Sequence, residues 1–454
     1  MLNESEQKYI KDVLNFVSWK RAHECIEREL SDHIEDFREA RISEGADAET
    51  ASAEALKEMG DCALVGSSMN KVYRPRFSKP MLIAFAVILL CGILIRIFTD
   101  SYDNNTTSYL LSLFLGAAVF FTVRRFTDLK WLFEKTWWIV GGYAIVLVAS
   151  TVCPPLYAFE RLNDFIWEPL LANWYIYVSL FQPVVLALIL WKLKNKGVPG
   201  LIILGLLSVL LIYPLLLAPK FAVAAMLAAA DAAITAYAII KGWLGKRRWL
   251  LLCISILLLA GAAAVLICVF GSYRLYRMIN LYPLSITTES YQSHCIREIL
   301  SQSSLFGGID PAGISAKTGD FLYQTAYVQT SYLLVYLASH VGLWIYPAVI
   351  LLTAGFSFFA VRWCLRQSSM FSRLISLSII SVLIVQWVLY IAVNLGVFNG
   401  FTLPLPFLSH GNVSFVVNMA LAGLLFCVSG TGWLYSDEPR RAKALKDGIP
   451  SAAE

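Results

Sequence analysis

The chain has 454 residues, is 58% hydrophobic and 15% charged, and carries a formal net charge of +5. With a mean hydropathy of +0.63, it is no ordinary soluble enzyme but a polytopic membrane protein. The small positive balance requires no nucleic-acid partner, because cytoplasmic loops of membrane proteins collect Lys and Arg. Nine cysteines are scattered without a CxxC pair or a His/Cys cluster. Cys91, Cys253, Cys268 and Cys427 read as small buried hydrophobes, and Cys295 in a polar loop reads as a free thiol.

Residues 1–75 read as a separate, water-soluble piece with no apolar core of a cleavable signal. Apolar residues recur at helical spacing at Ile26, Leu30, Ile34 and Phe37, and again at Ala51, Ala55, Leu56 and Met59. Gly45 ends one helix, Asp47 caps the next, and that helix stops near Gly60, which predicts a three-helix mini-domain. The stretch from Glu27 to Asp61 resembles the helical permease-prefix (HAAS-like) domain that precedes some bacterial membrane proteins. That resemblance implies a regulatory or adaptor role and a cytosolic partner.

From Met81 onward, apolar segments long enough to cross a core of about 30 Å recur. Ten are expected, near 81–98, 108–123, 136–153, 174–191, 198–217, 221–240, 249–270, 332–361, 372–396 and 411–435. The spans carry little charge beyond Arg96. Basic residues gather at alternate connections: Arg74, Arg76 and Lys79; Arg124 to Lys135; Lys192 to Lys196; Lys241 to Arg248; Arg362 to Arg373; and the tail 437–454 from Arg440. This alternation places both termini in the cytoplasm. It also puts the long connection, about 272–330, on the outer face. At about sixty residues that connection exceeds what a linker needs, and it reads either as a lid or substrate platform or as a solvated loop.

Near the C-terminus, Leu403-Pro404-Leu405-Pro406 cannot continue a helix, and Gly411 permits unusual backbone. Irregular backbone at membrane depth survives only where protein buries it or it lines a cavity. Ser409, His410 and Asn412 supply polar groups beside this break.

Taken in order, several stretches resemble the SEDS family (FtsW/RodA/SpoVE type). Gln182-Pro183 is similar to its QPSE element, Ala218-Pro219-Lys220 to QPD, and Leu405 to Gly411 to LPFxSYG. Tyr273 to Asn280, Tyr291-Gln292 and Leu305 to Gly308 match landmarks of the outer loop; Gln386, Asn394 and Gly396 match span nine. The resemblance covers residues 76–436. It implies an all-α ten-helix membrane domain, a lipid-linked peptidoglycan precursor as ligand, glycosyl transfer as activity, and a class B penicillin-binding protein as partner. A divalent metal is compatible with the same resemblance. The charged landmarks depart from it: Ser331 stands where the family has its loop aspartate, Val184-Val185 where it has Ser-Glu, Lys220 where it has Asp, and Asn412 where it has Gly.

Glycosyl transfer needs a base for the attacking hydroxyl and cationic or dipolar groups for the departing diphosphate. Serine is not such a base, and His340 lies nine positions on, so a Ser331–His340 dyad requires a helix break. Asp320, in a TDF-like stretch with one inserted glycine, is the replacement candidate; a solvated loop carboxylate is its plain reading. Arg274 and Arg277 suit a diphosphate, or anchor to lipid headgroups. Lys220 either snorkels or binds an anionic headgroup. Pro404, Pro406, Ser409, His410, Gly411 and Asn412 complete the candidate substrate-binding set. Three readings stay open: a polymerase, a catalytically degenerate paralogue acting as regulator or scaffold, and a flippase. The flippase would need intramembrane charge.

Overall fold

A computed structural model describes residues 2–74, 78–99, 106–127, 129–152, 174–217, 221–279, 291–310, 313–323, 325–397 and 403–432. The chain divides into two compact units, Met1–Arg76 and Phe77–Glu454.

The first unit holds four α-helices, Glu4–Asn15, His23–Ser43, Ala48–Met59 and Cys62–Val72, not three. The first of them is Glu4–Asn15. Its Asn3 and Glu6 form a reciprocal capping box that satisfies two orphan N–H groups. Glu6 is fully buried and also accepts from Ser52 (2.7 Å) and pairs with Arg38 (3.3 Å). Around it pack Ile10, Val13, Ile26, Leu30, Ile34, Ala51 and Ala55. Gly45 takes a φ of +96° after the second helix, as its position predicts. Asp47 stands at the next N-cap without a side-chain bond.

The second unit is a helical bundle with no strand among the described residues. Among the described residues, seven helices are long and apolar enough to cross a membrane, and three shorter apolar stretches, Thr136–Ala149, Ile176–Lys192 and Arg248–Ala262, accompany them. In chain order the spans are one (Lys79–Thr99), two (Thr106–Phe126), three (Thr136–Val152), four (Trp174–Ser179 and Gln182–Lys192), five (Gly197–Leu217), six (Phe221–Ile240), seven (Arg248–Ile279), eight (Ile345–Leu365), nine (Met370–Asn394) and ten (Asn412–Thr431). Span one buries Met81, Phe85, Ile88, Gly92, Arg96 and Thr99 along one helical face and exposes Ile83, Leu90, Leu94 and Ile97 on the other. In lipid, apolar burial gives no drive for association, so close packing over small residues takes its place. Spans two and ten show this: a Cβ on Gly423 would lie 2.8 Å from the Phe120 carbonyl, and one on Gly116 2.6 Å from the Phe415 ring.

Two boundaries differ from the sequence expectation. Span seven stays helical to Ile279, so Tyr273 to Ile279 extend the helix and do not open the loop. The segment expected as span eight from 332 divides into a short buried helix, Leu333–Val341, and the span proper from Ile345. Hydropathy hides the division because both pieces are apolar. Gly342 makes it, with a φ of +105°, and a Cβ there would lie 2.5 Å from the Leu305 carbonyl. The Ser304 to Ile309 stretch docks on this turn through Gly307 N to Val341 O (3.1 Å), Ile309 N to Ser339 O (2.9 Å) and Leu343 N to Ser304 O (3.0 Å).

Helices Tyr291–Gln302, Ala316–Tyr323 and Thr325–Ser331 form a cap at this end of the bundle. The cap is internally tied: the Glu298 carboxylate accepts from Ser315 N (2.8 Å), from the Ser315 hydroxyl and from Thr318.

Candidate functional site

Leu403–Gly411 joins spans nine and ten as irregular backbone, as its two prolines dictate. Phe407 adopts a φ of +68°, a region that costs a non-glycine residue about 1–3 kcal/mol. Its ring meets Phe85 edge-on at 5.3 Å between centroids. Gln386 Nε2 donates to the Pro404 carbonyl at 2.9 Å, replacing a helical bond the segment cannot make. Glycines let the break sit this deep. A Cβ on Gly92 of span one would lie 2.1 Å from the Phe407 carbonyl, and one on Gly411 2.7 Å from the Pro404 ring.

The cap-side end of span one meets this break. Arg96, 7% exposed, donates through Nη2 to Asn412 Oδ1 at 3.3 Å, and its guanidinium lies 4.1 Å from the Tyr109 ring centroid. The Thr99 hydroxyl and His410 Nε2 are hydrogen-bonded at 2.6 Å, and Gln329 Nε2 donates to the Thr99 carbonyl at 3.4 Å. Below Arg96 opens a cavity of about 210 Å³. Leu89, Ile93, Leu113, Ala117, Phe415 and Met419 give it apolar walls; Arg96, Ser409 and Tyr109 bring polar groups, and among the described residues no acidic one lines it.

Pro404, Pro406, Ser409, His410, Gly411 and Asn412 thus come together, with Arg96 and Thr99 beside them. Ser331 is buried at the end of the short cap helix that carries Gln329, and its carbonyl accepts from Asn394 Nδ2 at 3.1 Å. Asn394 also accepts from Leu334 N (3.2 Å) and Val335 N (3.4 Å), so one side chain caps the buried helix that follows. A helix break does stand at Tyr332, but His340 Nδ1 lies against the Tyr336 carbonyl (2.8 Å) and the Ser339 hydroxyl (3.0 Å). Asp320 is exposed on the Ala316–Tyr323 helix, which buried Phe321 holds against Tyr332, ring centroids 5.3 Å apart. Arg274 and Arg277 lie on the helical extension of span seven; their side chains, and all of Lys220, fall outside the described residues. Among the described residues no three His, Cys, Asp or Glu side chains converge as a preformed metal site.

The low-charge reading of the spans needs correction. Asp231 is buried in the middle of span six, where Gln182 Nε2 donates to it at 2.7 Å. An acid within an alanine-rich apolar run was a legible signal.

A bundle of apolar helices, interrupted at depth and closed by a helical cap, defines a polytopic membrane protein. A family model described as FtsW/RodA/SpoVE, cell cycle protein, matches residues 178–431, more than half of the chain. The chain belongs to that family. The fold is similar to a solved structure from a peptidoglycan synthase complex that coordinates polymerization and crosslinking, with 18% identity, a TM-score of 0.60, and coverage of 78% of this chain and 98% of that one. A variant of the Thermus thermophilus rod shape determining protein RodA matches at 16% identity and a TM-score of 0.49, with coverage of 78% and 98%. No curated protein matches the chain in sequence at a significant level.

Proposed function

We propose that this protein works in peptidoglycan biogenesis at the bacterial plasma membrane and binds a lipid-linked precursor at the cap end of the bundle. The observation that carries the reading is the apolar cavity with a buried guanidinium at its polar end, beside a broken helix. The polyprenyl chain lies against Leu89, Ile93, Leu113 and Met419, and the diphosphate meets Arg96, with Asn412 and Ser409 as further polar contacts. Arg274, Arg277 and Lys220 remain secondary candidates for the same headgroup. The alternation of basic connections supports a cytoplasmic prefix and an outer cap. The similarity to a synthase-complex component supports a class B penicillin-binding protein as partner, and the prefix is assigned to a cytosolic one.

A second reading follows from the absent acid. Ser331 stands at the family's aspartate position by resemblance and, among the described residues, no carboxylate lines the cavity, which favours precursor binding without polymerisation. Asp320 is the base if polymerisation occurs. Purified protein in nanodiscs with lipid II separates the two. Arg96→Gln is expected to weaken lipid II binding at least tenfold; unchanged affinity would remove the cavity from the account. Polymer made by wild type and lost in Asp320→Asn would identify Asp320 as the base, and polymer made by both would dismiss it.

A further inference from the structure

Asp231 is the eleventh of the 20 residues of span six, about 15 Å from either end at 1.5 Å per residue, and is 4% exposed. Two donors reach it, and both take the same oxygen: Gln182 Nε2 donates to Oδ2 at 2.7 Å, and the Ser208 hydroxyl of span five donates there too. Oδ1 has no partner among the described residues, and neither has Oε1 of Gln182, which is fully buried. Two acceptor oxygens are therefore left without a donor, on side chains already joined by one hydrogen bond. The hydroxyl of Tyr143, from span three, is likewise without a partner and is in electrostatic contact with Asp231.

An ionised carboxylate at this depth without a counter-charge is costly. A proton on Oδ1 removes the charge and supplies the missing donor. That O–H would let Asp231 donate to Gln182 Oε1 while Oδ2 accepts from Gln182 Nε2, a paired acid–amide arrangement. A water molecule would leave the charge in place. A hard divalent cation takes about six or more oxygens, and only three uncommitted ones are found here.

We propose that Asp231 and Gln182, with Ser208, form an intramembrane proton-binding site that ties spans four, five and six together when loaded. Loading takes one proton from solvent and makes one O–H bond. Unloading leaves a buried negative charge and loosens span four at its interruption before Pro183. Among the described side chains, the other titratable groups on spans four, five, seven and nine are Tyr177, Lys192, Tyr213, Arg248, Cys253, Arg373 and Tyr390. Lys192 ends span four, Tyr213 of span five is exposed, Arg248 and Cys253 begin span seven, and on span nine Arg373 acts on Tyr237 while Tyr390 bonds Leu333. The site shares no residue with the cavity below Arg96, so the proposal does not rest on precursor binding there.

The test uses the full chain in lipid nanodiscs. Infrared difference spectra at neutral pH, with aspartate carboxyl carbons isotope-labelled, read whether a buried carboxyl is protonated. The expected result is a carboxylic C=O band that shifts with the label, vanishes in Asp231→Asn and moves in Ser208→Ala. A carboxyl that folds protonated binds more protons folded than unfolded, so stability falls as pH rises. The wild-type Tm should therefore drop by several degrees from neutral to alkaline pH while Asp231→Asn stays level. If that variant fails to fold, the labelled wild-type band and its displacement in Ser208→Ala decide. A spectrum showing only carboxylate at neutral pH overturns the proposal. So does an alkaline Tm that rises with Na⁺ but not with choline, which would assign the site to a metal cation.

Discussion

Single polar side chains hold the irregular parts of this bundle. Asn394 satisfies two backbone N–H groups and one carbonyl where the cap enters the membrane unit. Asn394→Ala leaves them buried without partners, and a loss of about 2–3 kcal/mol in thermal or denaturant unfolding is expected. Glu298 plays a similar part in the cap. The hydrogen bond from Thr318, ahead of those from Ser315, holds its carboxyl below the usual carboxylate range. A group depressed in this way stabilises fully above its unfolded value, about 4.3, and loses that contribution as pH falls through the lower folded value. Hydrogen exchange in 313–323 should accelerate below about pH 4, and Thr318→Val should give rapid exchange already at neutral pH. Protection that ignores both pH and the variant would remove Glu298 as the tie.

At the scale of elements, close helix approach positions the break. Gly92→Ala places a methyl group against the Phe407 carbonyl, a backbone atom that cannot rotate away. The expected cost is about 1–3 kcal/mol, together with weakened lipid II binding, because Phe407 and Leu408 also line the cavity. Gly141→Ala, in span three, meets nothing within 4 Å and serves as the control; equal melts for the two variants would contradict the packing account. The division of span eight has the same origin. The buried helix ends at Gly342, and the Ser304 to Ile309 stretch docked on that turn leaves no room for a side chain there.

At the scale of the whole molecule, the two units are stabilised by different solvents. The membrane unit exposes Trp137, Trp138 and Trp249 beside basic residues, the pattern of interfacial anchors. The first unit has its own core and the Glu6 network. Residues 1–74 expressed alone should melt cooperatively as a helical domain. Glu6→Ala, which leaves Arg38 without its buried partner, should cost about 3 kcal/mol, enough to unfold most of so small a domain. A non-cooperative melt of the isolated wild-type piece would mean that it depends on the rest of the chain.

Local sequence determined the class, the spans and the backbone break, because hydropathy over about 20 residues and the missing N–H of proline act without reference to distant residues. The family landmarks were legible too, and Gln386 and Asn394 turn out to be the groups that satisfy interrupted backbone. Only the tertiary structure decided which residues meet. In the sequence Arg96 is a lone charge in span one; the fold pairs it with Asn412, 316 positions away. Asp231 is legible as an acid inside an apolar run, but its partners, Gln182 and Ser208, sit on two other spans. Side-chain pairing in a bundle depends on how helices rotate and cross, and that is set by close packing of many residues together, which no single segment encodes.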